Sequence, residues 1–306
     1  MTNPAEIESA AARIGRYVQQ TPAITSTALI PGMSVDLKLE HLQHTGSFKA
    51  RGAFNSLLAS DVPKAGIVAA SGGNHGAAVA FAAHALGHKA QVFVPELAGP
   101  AKIGLIERCG ADLTVVSGEY ANALEAAQDY ESRTQAQQIH AYDAPATVSG
   151  QGTVMREWDA QGLEADTVLI AVGGGGLIAG ALAWLQDRRR VVAVEPETSC
   201  ALHAALAAGA PVDVTVSGVA ANALGARKIG QICFELAVRQ NAASVLVSDA
   251  AILAAQTLLW QSHRILVEPA GATALAALLS GAYTPAPGER VAVLLCGGNV
   301  APDPLG

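Results

Sequence analysis

Two textures alternate along this chain. Short runs dominated by valine, isoleucine and leucine fall at residues 35–40, 67–70, 90–94, 112–116, 167–172, 191–195, 245–247 and 291–296. Longer alanine-rich stretches with scattered polar positions lie between them, among them 50–58, 74–86, 100–108, 120–135 and 177–186. The short runs predict strands and the long stretches predict helices. Most of the strands are almost continuously apolar, as strands covered on both faces must be. Regular strand–helix alternation therefore predicts an α/β fold with parallel sheets covered by helices. No fixed-period repeat and no low-complexity linker divides the chain, so composition marks no domain boundary.

Ligands of open α/β sheets bind beyond the carboxyl ends of the strands. Three strand ends here run straight into glycine: SGGNHG at 71–76, GGGGL at 173–177 and CGGN at 296–299. One glycine is enough for a tight strand–helix turn. Four in a row, Gly173, Gly174, Gly175 and Gly176, instead predict a loop whose free amides and following helix start receive a phosphate. A rival reading takes Gly174, Gly176 and Ala179 as a loose dinucleotide fingerprint with Glu195 as the ribose acid, but it leaves the other junctions idle. In SGGNHG, Ser71, Asn74 and the backbone amides can form a nest for a carboxylate. The plainer alternative is helix capping by Ser71 or Asn74, and His75 taken alone reads as packed or solvated. Cys296 reads as a small buried hydrophobe, except that two glycines follow where a flat ligand can come close.

A lysine, Lys49, sits in the small, apolar stretch GSFKARGAFNSLL, with Ser47 as the expected N-cap of the helix over 50–58. Most such lysines are surface residues with snorkelling stems. Here desolvation would depress the amine pKa and make it nucleophilic, and condensation with an aldehyde would remove its isolated charge. Composition narrows the setting. The chain has 306 residues, 51% hydrophobic and 15% charged, enough for one large or two smaller cores. A net charge of −7 gives no general attraction to nucleic acid. No apolar run is long enough for a membrane span, and the polar, acidic N-terminus lacks a secretory pattern. Four widely spaced cysteines signal neither a zinc site nor disulfides, which suits a reducing cytoplasm.

Taken together, TGSFKARGA (45–53), SGGNHG, VGGGGL, EPAGATALAAL (268–278) and LLCGGN resemble the serine/threonine dehydratases of the pyridoxal-phosphate (PLP) fold-type-II group. Serine racemase and phenylserine dehydratase belong to the same wider family. The likeness is collinear from about residue 11 to residue 300, and the helical start AAARIGRYVQQTPAITSTAL and the segment SGQGTVMREW share it. It implies a tryptophan-synthase-β-like fold of two domains: a large PLP-binding domain over 1–65 and 141–306, and a small inserted α/β domain over 66–140. It further implies that Lys49 condenses with PLP, Phe48 flanks the pyridine ring and Asn74 bonds the phenolic oxygen. Gly173 to Gly176 and Leu177 would hold the phosphate, Cys296 would face the pyridine nitrogen, and Ser71, Gly72, Asn74 and His75 would receive the substrate carboxylate. A homodimer is implied as well. With only seven residues after CGGN, no C-terminal regulatory domain is expected.

The implied activity is α,β-elimination from an L-β-hydroxy amino acid to a 2-oxo acid and ammonia. Lys49 acts as general base, and a thiol beside the pyridine nitrogen is too weak a donor to keep it protonated. Racemases of the family carry a serine where this chain has Gly72, so racemisation is the lesser expectation. The remaining alternatives are a β-replacement lyase and a non-catalytic PLP- or nucleotide-binding protein. Some relatives bind a divalent cation through the acid matching Glu195 and an aspartate that is Ala201 here; one carboxylate makes a thin site, and no metal is expected. No basic residue occurs in VVSGEYANALEAAQ (115–128), whereas Tyr142 and the apolar stretch 219–225 can line a side-chain pocket. Threonine, serine or a bulkier substrate such as 3-phenylserine is therefore ranked above one with an acidic β-substituent.

Overall fold

Two sheets organise the chain in the computed structural model, which describes residues 2–118 and 120–300. Residues 301–306, on which the expectation about a further domain rested, lie outside the described residues. The strands are β1 (Ala23–Ile30), β2 (Met33–Leu39), β3 (Ile67–Ala70), β4 (Ala90–Pro95), β5 (Asp112–Val116), β6 (Gln137–Gln138), β7 (Thr167–Ala171), β8 (Arg190–Pro196), β9 (Ala243–Val247) and β10 (Val291–Leu295). The helices are α1 (Pro4–Ile14), α2 (Lys49–Leu58), α3 (Asn74–Ala85), α4 (Pro100–Arg108), α5 (Tyr120–Thr134), α6 (Pro145–Ala160), α7 (Gly176–Leu185), α8 (Ala201–Ala208), α9 (Ala221–Leu224), α10 (Gln231–Arg239), α11 (Asp249–His263) and α12 (Pro269–Ser280). One sheet runs β1-β2-β10-β7-β8-β9 and the other β5-β4-β3-β6.

Every pairing is parallel except β1 with β2. The central strands β7 and β10 are buried at every position, which is why they read as unbroken apolar runs. The edge strand β1 is mostly exposed or half-buried. Its polar, threonine-rich sequence sits inside the stretch expected to be a helical start. The structure corrects that expectation: α1 ends at Ile14, and the chain from Ala23 pairs antiparallel along β2. β-branched Ile24, Thr25 and Thr27 favour this extended edge over a helix.

Strand ends place the glycine junctions. Leu295 of β10 lies beside Leu39 of β2, and β10 also pairs with β7, so the loops after β7 and β10 leave neighbouring strands on the same sheet edge. In the other sheet β3 leads into residues 71–73 and then α3. Helix α2 joins the two sheets: Ala50, Ala53, Phe54 and Leu57 share a core with Ile67, Ala69, Ala78 and Ala82, while α2 also packs along α6.

The start of α2 departs from expectation. Ser47 does not cap it; Ser47 is extended and forms an antiparallel bridge with Gly297, and its buried hydroxyl has no partner. Phe48 N–H donates to the Cys296 carbonyl at 3.2 Å, so the segment before the helix is stitched to the end of β10. Two residues into the helix, buried Arg51 grips Glu40 with both Nε (2.9 Å) and a terminal nitrogen (2.7 Å), and reaches Glu157 at 2.9 Å. Lys38, also buried, donates to Glu157, Gln161 and the Thr21 carbonyl. Burial alone would raise the Glu40 carboxyl, but Arg51, together with Thr21 and Lys38, holds that group below its usual range. Removing Arg51 leaves a buried carboxylate uncompensated. Arg51→Met should cost about 3–5 kcal/mol, read as a fall in the urea midpoint of the first unfolding transition; an unchanged midpoint would show that the cluster does not anchor α2.

Candidate active site

Lys49 is the first residue of α2 and projects into a cleft lined by Phe48, Asn74, Tyr142, the glycine loop, Glu268 and Cys296. Its Nζ donates to the Ala141 carbonyl at 2.8 Å and lies 5.2 Å from the centre of the Phe48 ring. Burial lowers the amine to about 8, with Cys296 and Glu268 pulling weakly the other way. The cleft thus holds a lysine that is partly neutral at physiological pH.

Across the cleft, β7 ends and the chain turns through Gly173–Gly175 into α7. A Cβ on Gly174 would sit 2.3 Å from the Tyr142 ring, and one on Gly173 would sit 2.8 Å from Leu224 Cα. Gly175 has φ +92, and a Cβ there would meet Cys233 Sγ at 2.5 Å. Side chains are excluded at all three positions by sterics or by backbone conformation. Among the described residues, no backbone carbonyl accepts from the N–H groups of Gly173, Gly174 or Gly175. The first amides of α7, from Gly176 through Leu177, lack helical partners by geometry. The loop therefore presents a row of donors to the cleft, suited to an anion.

Cys296 closes β10 beside Lys49. Its thiol donates to the Ala270 carbonyl at 3.4 Å, and burial raises its pKa, so it remains an uncharged thiol. Asn74, the first residue of α3, donates to Glu268 Oε1 at 2.5 Å and accepts from Asn299 Nδ2 at 2.8 Å. Burial raises Glu268 to about 7, against smaller opposing effects from Asn74, Lys102 and Lys49. The sequence reading assigned no role to Glu268 or Asn299. A lone acid in front of the apolar helix α12 was the available signal, and it read equally well as an ordinary residue before a proline.

The remaining expected residues divide. Ser71 Oγ accepts from Gly73 N–H at 3.2 Å, which shapes the turn. A Cβ on Gly72 would lie 2.4 Å from Ala98 Cβ, so the 96–98 turn covers that position. The His75 ring is buried and is not among the residues lining the cleft, with Nε2 2.8 Å from the Ile139 carbonyl; burial and then the Lys49 charge lower it to about 3. That ring is neutral and packed, so any substrate contact from His75 falls to its main chain. Glu195 stands apart from the cleft: its two oxygens accept from Leu202 and His203 N–H, both at 2.8 Å, capping α8. Among the described residues, no group of three His, Cys, Asp or Glu side chains converges as a metal site, and no helix is long and apolar enough to cross a membrane.

The family model for pyridoxal-phosphate dependent enzymes matches residues 14–297. The chain belongs to that family. Among relatives of known activity, phenylserine dehydratase of Ralstonia pickettii is 38% identical, over 94% of this chain and 90% of its own length. L-threonine ammonia-lyase of Thermotoga maritima is 32% identical, over 96% and 75% respectively. Among solved structures, the T.th. threonine deaminase superposes with a TM-score of 0.91 at 36% identity, covering 99% of this chain and 100% of that one. Maize serine racemase superposes at 0.93 with 31% identity, covering 99% and 95%. The mixed parallel fold is that of PLP fold type II.

PLP is the cofactor of this family, and the cleft fits it on two counts. The glycine loop leaves unpaired amides and no room for side chains, and the one cation among the lining residues is an amine depressed by burial. The lysine must be neutral to attack an aldehyde, since an ammonium has no lone pair. Below about 8 it is mostly ammonium. Uptake of PLP by the apoprotein should therefore accelerate about tenfold per pH unit toward 8 and then level off. Stopped-flow absorbance measures this; a plateau reached only near pH 10 would indicate an ordinary exposed lysine.

Proposed function

We propose that this PLP-dependent enzyme is a dehydratase of L-β-hydroxy amino acids, removing the β-hydroxyl and yielding a 2-oxo acid and ammonia. The observation that carries the reading is the convergence in one cleft of a partly neutral Lys49, a bare glycine cradle and an un-ionised thiol. The phenylserine and threonine dehydratases among the relatives support it. Bound PLP supplies an electron sink for the bond broken at the substrate Cα. Lys49 is the group that forms the covalent link and later takes the Cα proton at Nζ. The amides of Gly173 to Gly176 and Leu177 bind the phosphate, Phe48 flanks the ring, and Asn74 donates to the phenolic oxygen. Cys296 faces the ring nitrogen, and its un-ionised thiol places no negative charge beside it. Ser71, Gly72, Asn74 and the main chain of His75 receive the substrate carboxylate.

Elimination is favoured over racemisation by Gly72, which has no proton to return to the opposite face of Cα. The Ala98 methyl, 2.4 Å from where a Cβ would stand, also bars a serine there without movement of the 96–98 turn. The substrate side chain is proposed to be threonine-like or larger and apolar, 3-phenylserine included. Tyr142, Ile178, Ala223 and Leu224 line the cleft, and none of its lining residues other than Lys49 could pair with a second carboxylate. Residues 66–140 are taken as the small inserted domain within 1–65 and 141–306, supported by the four-stranded sheet drawing every strand from that stretch. A homodimer in the cytoplasm is the assembly and compartment proposed.

A panel of 3-hydroxy amino acids, scored for oxo acid and ammonia, tests the function. Threonine or 3-phenylserine should be consumed and 3-hydroxyaspartate should not; no release from any member would leave a binding protein instead. Lys49→Ala should lower turnover by about 10³-fold or more while leaving the circular dichroism unchanged. Normal turnover in that variant would overturn the assignment of the base.

A further inference from the structure

The amide of Asn74 is held from both ends by residues outside α3, and the polarity of that hold can be traced to one backbone carbonyl. Asn299 Nδ2 donates to the Thr45 carbonyl at 2.7 Å. A carbonyl only accepts, so the nitrogen of the Asn299 amide must face it. The same nitrogen donates its second hydrogen to Asn74 Oδ1 at 2.8 Å, which turns the Asn74 oxygen toward Asn299 and its nitrogen away. Asn74 Nδ2 then gives one hydrogen to Glu268 Oε1 at 2.5 Å. A carboxyl group offers an accepting oxygen whether or not it carries a proton, so this contact survives titration of Glu268. An amide nitrogen has two hydrogens. The second one on Asn74 is uncommitted, and Asn74 lines the cleft with Lys49 and Cys296.

We propose that Asn299, with Glu268, is a positioning residue that orients the Asn74 amide so that its free N–H meets the phenolic oxygen of PLP. This rests on the cofactor role given to Asn74 above. The surroundings leave the Asn299 amide little freedom. Its oxygen lies 2.5 Å from where a Cβ on Gly46 would stand, so a side chain at Gly46 would displace it. Gly298 N–H donates to the Gly46 carbonyl at 2.8 Å, holding the loop after β10 against the loop before α2. Without Asn299 the Asn74 side chain can turn over, since the two ends of an amide are nearly the same shape. Its oxygen would then confront the phenolic oxygen, acceptor against acceptor.

The test is a double-mutant cycle read by PLP affinity, not turnover: absorbance titration of holoprotein that has been stripped and reloaded. Asn299→Ala should weaken PLP binding at least tenfold in the otherwise native protein, and less than twofold in the Asn74→Ala background. A loss of the same size in both backgrounds would mean that Asn299 acts on general structure, and the proposal fails. No loss in either background also overturns it. If Asn74→Ala alone leaves PLP affinity unchanged, the cofactor role of Asn74 falls and the proposal falls with it. If Asn74→Ala weakens binding and Asn299→Ala does not, only the positioning role is lost. Asn299→Asp, which keeps the shape but cannot donate, should match Asn299→Ala; should Asn299→Ala fail to fold, Asn299→Asp carries the cycle with the same expected values. Glu268→Gln, whose amide oxygen can still accept from Asn74, should bind PLP within about threefold of the native protein, whereas Glu268→Leu should not.

Discussion

Two residues along the helix from Lys49, the guanidinium of Arg51 lies buried between the carboxylates of Glu40 and Glu157, with the ammonium of Lys38 on the far side of Glu157. Two cations and two anions balance, so the cluster carries no net charge into a low-dielectric interior. It also ties the end of β2, the first turn of α2 and the last turns of α6 into one rigid corner. Residues two apart on a helix point about 200° from each other. Clamping Arg51 into that corner therefore sets the rotation of α2 and sends Lys49 the opposite way, into the cleft. The Ser47–Gly297 bridge and the bond from Phe48 N–H to Cys296 fix the other side of the lysine. The Lys49 amine is placed by neighbours on both sides along the chain and by its own contact to the Ala141 carbonyl.

Burial is the leading cause of every protonation shift in the cleft. It lowers Lys49 to about 8, raises Glu268 to about 7 and raises the Cys296 thiol. The result is an amine and a carboxyl that both titrate near neutral pH beside a thiol that stays protonated. A phosphate entering such a cleft is met by backbone amides and the start of α7 instead of by arginine or lysine. Among the described residues, Lys49 is the one cation lining the cleft. Cys296, kept as a thiol by burial, adds no negative charge to the cleft.

Where the sequence was informative, the reason was periodicity or glycine. The runs at 67–70 and 112–116 and the helix over 100–108 coincide with β3, β5 and α4 because each is bounded by Gly, Pro or a charged residue. Each of the three glycine junctions contributes to one cleft, through Asn74, through Gly173 to Leu177 and through Cys296. Other features were hidden. Strand β1 is an edge whose exposed residues are alanine and threonine and whose buried positions include Ser26, so it lacks a clean apolar signature. Strand β6 is two residues long and carries no pattern at all. Ser47 looked like a cap because Ser before an apolar run usually is one, but the pull of Gly297 makes it extended. His75 looked like part of a binding loop, yet its ring serves the Ile139 carbonyl.

Local chemistry along the chain was enough to indicate the layered α/β class, the glycine-lined strand ends and a lysine in a small, apolar stretch, because each of these is a property of neighbouring residues. The depressed amine, the raised carboxyl of Glu268 and the polarity running from Thr45 through Asn299 to Asn74 belong to contacts between segments as much as 254 residues apart. A pKa depends on what water has been removed and which charges have been brought near. Neither is written in the order of residues until the two sheets close around them.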